Sequence, residues 1–391
     1  MPNPPRKNQL LFFSAFLLSA FGYEFLYFVM TVHIHDLTRS ALDVGIFTAL
    51  TFIPKLFSSV MGGIADKIGK HKSLAISAIL TGILLLIMAN ISDMAVFQIV
   101  WFFASIFFTV IVNARGTLMA EVVSSEHYAS GNAVALTLLN SAKLLGPLLG
   151  GLIIMTLSIR LLLYVTAVVY LLVALFSFAI RVEKPAVSER TGFLANVKKG
   201  FQFMLENKVF GLITAISFFW RLFLGLQLSL FVIYVKSYLN CSSEQYGFFV
   251  TLVGAGSIVG SLLGPSVAKL VKPAWLIAGG LSLHYASFVL LGLCKDYVLS
   301  LVIVFVSFVI FYLTLVTLHS VRDRITPFEI RASAYGTTTA ILTPAAIVST
   351  LAGGFLTDHL GVAQVLLFAG LAALISLAVI LYVNRRTVKM I

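Results

Sequence analysis

Gly62-Gly63-Ile64-Ala65-Asp66-Lys67-Ile68-Gly69-Lys70-His71-Lys72 is a short basic segment between two long apolar runs, the first of which ends inside it. Its glycines permit close helix approach and a tight turn, and its cations require water or headgroups. The flanking runs, 43–65 and 73–91, each have about the 20 residues that a helix needs to cross hydrocarbon. The same alternation extends from Leu10 to Val383, with further runs at 10–32, 94–118, 131–157, 160–180, 208–236, 245–268, 274–294, 298–320, 333–357 and 360–383. Hydrophobic residues make up 60% of the chain and charged residues 11%. Soluble domains carry about 45–50% and about 25%. These features predict an all-α membrane protein of twelve transmembrane helices embedded in a lipid bilayer.

The run Leu10–Val32 is too long for a signal-peptide core, contains Tyr23-Glu24 and shows no small-residue cleavage site, so it reads as a permanent helix. Cys241 and Cys294 have neither CxxC spacing nor nearby His or Cys partners. That pattern indicates no disulfide framework, metal site or redox role. The net charge of +12 is topogenic rather than a nucleic-acid footprint. With the helices placed as above, nineteen Lys and Arg fall on the side of the two termini. The other side carries Arg39, Arg160, Lys236 and Lys295. Cations concentrate in cytoplasmic loops, so both termini are expected in the cytoplasm of a cell with the protein in its inner membrane.

The longest polar stretch divides the helices six and six, giving bundles at 1–180 and 208–391 joined by a cytoplasmic linker at 181–207. A trace of duplication links the halves. Glu126-His127-Tyr128-Ala129-Ser130 and Gly150-Gly151 recur at one constant offset as Glu329-Ile330-Arg331-Ala332-Ser333 and Gly353-Gly354.

The opening segment resembles the Gly-x-x-x-Asp-(Arg/Lys)-x-Gly-(Arg/Lys)-(Arg/Lys) signature of the major facilitator superfamily. The resemblance covers nearly the whole chain. It implies two pseudo-symmetric six-helix bundles, alternating access and a site at the lobe interface. It also implies a conformational latch, carried here by Gly62, Asp66, Gly69 and Lys70; a basic topogenic loop with an incidental Asp is the alternative. Gly146-Pro147-Leu148-Leu149-Gly150-Gly151 resembles the Gly-Pro-x-x-Gly-Gly core of the family's exporting antiporters, although Ala142 stands where that pattern has a further Gly. Small-residue helix packing is the competing explanation. Asn113-Ala114-Arg115 and the following Glu121–Asn132 look like the drug- and siderophore-exporter branch, with Arg115 either paired to Asp66 or snorkelling to the surface. Gly353-Gly354-Phe355-Leu356-Thr357-Asp358-His359-Leu360-Gly361 echoes the signature on the outer side, where it reads as a turn and not as a second latch.

Of the fifteen Asp and Glu, Glu24 alone lies well inside a predicted span. An ionised carboxylate is costly at that depth, and a group that loads and sheds a proton suits proton coupling. A permanent partner cation is the alternative. Lys55, Lys143 and Arg221 also fall mid-helix. If all face one cavity they outnumber Glu24, which points to an anionic substrate; structural pairing is the rival for each. Arg221 has the geometry for bidentate carboxylate or phosphate binding. Tyr23, Asn140 and Gln227 are further lining candidates, whereas Trp220 and Tyr27 read as packing residues. His284 and His319 are assigned no chemistry, and Pro54 and Pro344 are expected to kink their helices.

No phosphate loop, selectivity-filter repeat or zinc-protease helix is present, so neither an enzyme nor an ATP-driven pump is expected, and no cofactor. The expectation is proton antiport: export (efflux) of a small anionic or amphiphilic solute such as a carboxylate siderophore. Rival expectations are uptake of a siderophore or another organic anion, multidrug efflux, and a non-transporting membrane receptor.

Overall fold

Proline lacks an N–H and its ring clashes with the carbonyl four residues back, and at Pro54 the second apolar run breaks. In the computed structural model, which describes residues 6–181, 193–327, 330–388 and 390, that run is three pieces. Helix α2 (Ala41–Phe52) gives way to a 3-10 turn (Ile53–Phe57), and α3 (Ser58–Ile68) follows. Neither piece alone spans a bilayer; together they make one crossing. Eleven other helices among the described residues are long and apolar enough to cross. These are α1 (Arg6–Thr38), α4 (Lys70–Met88), α5 (Met94–Val122), α6 (Tyr128–Ile153) and α7 (Ile159–Ala179), followed by α9 (Lys208–Ile233), α10 (Ser243–Val267), α11 (Pro273–Leu293), α12 (Tyr297–Ile325), α13 (Arg331–Leu360) and α14 (Val362–Val383). Between α7 and α9 lies α8 (Phe193–Glu206), and α15 (Arg385–Val388) closes the order. The twelve-span expectation therefore holds, with the second span interrupted and α13 continuous through Pro344.

Two compact units emerge. The first holds residues 1–37 and 50–189; the second holds 38–49 and 190–391. The start of α2 thus packs with the second unit although its sequence neighbours belong to the first. In the first unit α4 packs on α5 and α7, and α3 on α5. Trp101, Tyr170, Phe12 and Leu26 are buried at its centre. In the second unit α10 packs on α12, α9 on α13, and α11 on α12 and α14. Leu175, Leu262, Phe368 and Ile375 are exposed, as apolar side chains facing lipid can be without cost.

Helix α8 occupies part of the stretch expected to be a linker. Apolar residues at Phe193, Val197, Gly200, Phe201 and Met204 recur at helical spacing, and Gly200 lies against Ser333 and Thr337 of α13. The duplication is visible in the helices themselves. The offset that pairs Gly150 with Gly353 also pairs Tyr128 with Arg331, the first residues of α6 and α13. Gly150 packs against Phe28 of α1, and Gly353 against Leu226 of α9.

Candidate substrate and proton site

Helix α6 reaches α1 so closely because Gly146 has no side chain. A Cβ there would stand 2.9 Å from the Phe25 nitrogen and 3.0 Å from the Glu24 Cβ. A Cβ at Gly150 would stand 2.7 Å from the Phe28 ring. The Gly-Pro-x-x-Gly-Gly stretch therefore seats α6 on α1 directly behind Glu24, with Pro147 inside a continuous helix and both Pro147 and Gly151 buried. One turn before Gly146, Lys143 shares a helix face with half-buried Asn140. The cations whose fields act on Glu24 are Lys143, then Lys55, then Arg115. Lys55 comes from the 3-10 turn, and its ammonium lies 4.4 Å from the centre of the Phe52 ring. Asn113 of α5 steadies the turn's exit by donating to the Ser58 carbonyl at 3.2 Å. Tyr23 stacks on Tyr27 at 6.2 Å and meets the edge of Phe108 at 5.3 Å.

Arg115 does not snorkel. It is 6% exposed, and its guanidinium turns to α1, donating to Ser19 Oγ at 3.2 Å and the Phe16 carbonyl at 3.4 Å. It also lies 4.0 Å from the centre of the Phe16 ring. Its expected partner, the Asp66 side chain, lies outside the described residues. A cavity of about 250 Å³ opens beside Arg115, between Phe16, Met119, Tyr128, Asn132 and Leu139. At the basic segment, Lys70 is held by Glu121 at 2.5 Å, with both side chains mostly buried. Nothing local in the sequence signals that pair, because it joins the starts and ends of different helices. Gly69 takes φ 102° and makes the turn. A Cβ at Gly62 would meet nothing within 4 Å, so no close approach requires glycine there.

In the second unit Arg221 stacks over Trp220 at 4.7 Å. Its Nε and the Trp220 Nε1 are buried without a hydrogen-bond partner. Trp220 in turn stacks on Phe311 at 5.4 Å, and Phe311 on His284 at 4.5 Å. Gln227 was expected to line a cavity, but it is 2% exposed. Its amide donates to His284 Nε2 at 3.1 Å. That leaves the ring proton on Nδ1, which donates to Ser307 Oγ at 2.8 Å. Edge contacts from Phe223, Phe288 and Phe308 enclose the imidazole. Fully bonded and walled by aromatics, this is a structural polar core, and Gln227 is engaged in it. The repeat offset offered a signal for it: Gly22-Tyr23-Glu24 of α1 corresponds to Gly225-Leu226-Gln227 of α9. The two halves thus carry a carboxylate and its neutral amide isostere at equivalent positions.

Charged side chains held mid-span in apolar helices are candidate sites for solutes or ions, and twelve spans with such residues describe a multi-pass membrane protein. The sequence profile of the Major Facilitator Superfamily matches residues 12–348. The chain belongs to that family, and is a secondary transporter working by alternating access. A relative in Bacillus subtilis (strain 168), the uncharacterized MFS-type transporter YfiS, is 22% identical over 354 residues, covering 88% of this chain and 84% of its own. Among solved structures, a mutant of the nucleoside transporter NupG superposes with a TM-score of 0.82 at 13% identity, covering 96% of this chain and 99% of its own. The POT family transporter PepTSo gives a TM-score of 0.82 at 11% identity, over 100% and 99% of the two chains. At these identities the solved structures establish the fold and nothing about the solute.

Proposed function

We propose that the protein exports a small anionic or amphiphilic solute, of the carboxylate-siderophore kind, in exchange for protons across a cell inner membrane, with both termini cytoplasmic. The observation that carries this reading is the charge arrangement. In the first unit a single mid-span carboxylate, Glu24, stands in the field of three cations. In the second, the Arg221 Nε–H is a buried donor with no hydrogen-bond partner. Unmet buried donors are costly, and an anion supplies both charge and acceptors. Lys143 and Lys55 then serve as point charges, and Arg221 as the planar fork for a carboxylate or phosphate. Protonation of Glu24 and anion occupancy beside Lys143 and Lys55 depend on one another, because the carboxylate and the anion act on the same cations. Export is favoured by the antiporter-like motif that seats α6 behind Glu24. Latch duty for Gly69 and Lys70 accords with the turn and the Lys70–Glu121 pair they form.

A thermal-shift screen of the purified protein against anionic, zwitterionic and cationic solutes tests the reading. It includes carboxylate siderophores with and without iron, and it is repeated with Arg221→Ala. A ligand at about 100 times its dissociation constant stabilises by about 2.7 kcal/mol. Stabilisation by anions that disappears in the variant is the expected result. Stabilisation by lipophilic cations alone would overturn the anionic assignment and favour multidrug efflux. Counterflow in oriented vesicles then separates export from uptake.

A further inference from the structure

Gly62-x-x-x-Asp66-x-x-Gly69 and Gly354-x-x-x-Asp358-x-x-Gly361 share one spacing. Among the described residues, Gly69 and Gly361 are the two glycines at positive φ, 102° and 86°. Each gives its N–H to the carbonyl four residues back, Gly69 to Ala65 at 3.0 Å and Gly361 to Thr357 at 2.9 Å. The second copy therefore repeats the backbone geometry of the first at its glycine turn. Counting spans, Gly69 follows the second crossing and Gly361 the eleventh, so the two turns stand on opposite faces of the membrane.

Asp358 sits in the last turn of α13, and its carboxylate is fully used. Oδ1 accepts from the Ala41 N–H at 2.6 Å; Oδ2 accepts from the Leu42 N–H at 3.0 Å and from Ser40 Oγ at 2.9 Å. Ala41 and Leu42 open α2, whose first N–H groups have no partner inside the helix. Ser40 Oγ takes one more, from Asp43, at 3.1 Å. A negative group at this end also meets the positive pole of the helix. Below the cap the two helices run backbone against backbone. A Cβ at Gly354 would stand 2.5 Å from the Ala41 carbonyl, and one at Gly45 would stand 2.6 Å from the Thr350 carbonyl.

The segment so held, Thr38–Ala49, packs within the second unit, and the chain enters the first unit at Leu50. Three residues later begins the 3-10 turn with Pro54 and Lys55. A helix pinned at its start and broken near its middle can pivot at the break.

We propose that Asp358 is a conformational latch for the face opposite the Gly69 turn: its carboxylate holds the start of α2 on α13, and alternating access requires that cap to let go. Release uncovers the α2 N–H groups and the glycine contact together, so the held and released states are discrete. The hinge carries Lys55, a cation acting on Glu24, so the held segment and that cation lie on one short stretch of chain.

Labelling of a buried reporter tests this. Thr350 is fully buried beneath Gly45, so Thr350→Cys reacts with a small maleimide only when α2 leaves. Cys241 is replaced by Ser, and Cys294, buried in the same unit, stays as an internal control. The two sites are read separately by peptide mass spectrometry, on protein that elutes as one folded species. Asp358→Asn retains one acceptor and Asp358→Ala none, so labelling at position 350 is expected to accelerate in the order Ala, Asn, Asp. For Ala the rise is on the order of tenfold, equivalent to about 1.4 kcal/mol. Gly354→Ala, which pushes α2 off α13 without touching the carboxylate, is expected to accelerate it too. Labelling at the parental rate in both Asp358 variants, or an equal rise at Cys294, overturns the latch. No solute enters the measurement, so its failure is separable from a failure of the anion reading.

Discussion

Glu24 and Gln227 occupy equivalent positions in α1 and α9, yet their surroundings differ. Gln227 is bonded to His284 and sealed by phenylalanines, whereas Glu24 is half-buried and faces cations. If Glu24 carries the proton, Glu24→Gln makes the first half resemble the second. We expect that variant to retain counterflow of substrate while net flux loses its dependence on the proton gradient. Proton-driven transport that persists in reconstituted vesicles would remove Glu24 from the coupling step. Gln227→Leu should behave differently. It strands a buried imidazole nitrogen, for about 1–3 kcal/mol of stability, and leaves ligand-induced thermal shifts unchanged. For Arg221, substitution by Lys keeps charge but not the fork; a loss of about tenfold in affinity for the anion, by titration, is expected. The mid-span charges themselves were legible in the chain, because a charge inside an apolar run is conspicuous. That Gln227 faces His284 was not, since 57 residues separate them and only packing brings them together.

Among the helices, glycine is required where backbones touch. Gly146→Ala drives a methyl into the α1 backbone, and overpacking of this kind costs about 1–3 kcal/mol. Gly62→Ala meets open space and gains up to about 1 kcal/mol of helix propensity. Thermal unfolding in one detergent should rank the two variants on opposite sides of the parent. Equal melting temperatures would mean that the α6–α1 approach is looser than described. Both glycines belong to motifs that the family resemblance singles out; which of them is pressed against a neighbour is decided by the adjacent helix. The same holds for α8, whose helical spacing of apolar residues is readable within a stretch whose charge reads as a linker. Break-up of the second span around Pro54 was foreshadowed as a kink, because the missing N–H is a local property. Its extent, a full 3-10 turn, depends on the surrounding contacts.

For the whole molecule, the cation asymmetry predicts orientation. Alkaline phosphatase, active only outside the cytoplasm, should be silent when fused after Val383, and a green fluorescent protein fused there should fluoresce. An active phosphatase at that point would reverse the topology. What the sequence by itself determined is the part governed by solvent. Long apolar runs have to form hydrogen-bonded helices in a bilayer, and the Gly62–Lys72 pattern places the chain in its family. What only the tertiary structure decided is the part governed by contacts distant in the chain. It put the start of α2 with the second unit, turned Arg115 inward to α1, gave Lys70 to Glu121 and Gln227 to His284, and brought Asp358 to the head of α2. Hydropathy is a sum over neighbours in sequence, so it survives in one dimension. Hydrogen-bond partners are chosen by distance in space, and residues as far apart as Ala41 and Asp358 acquire that distance only when the helices pack.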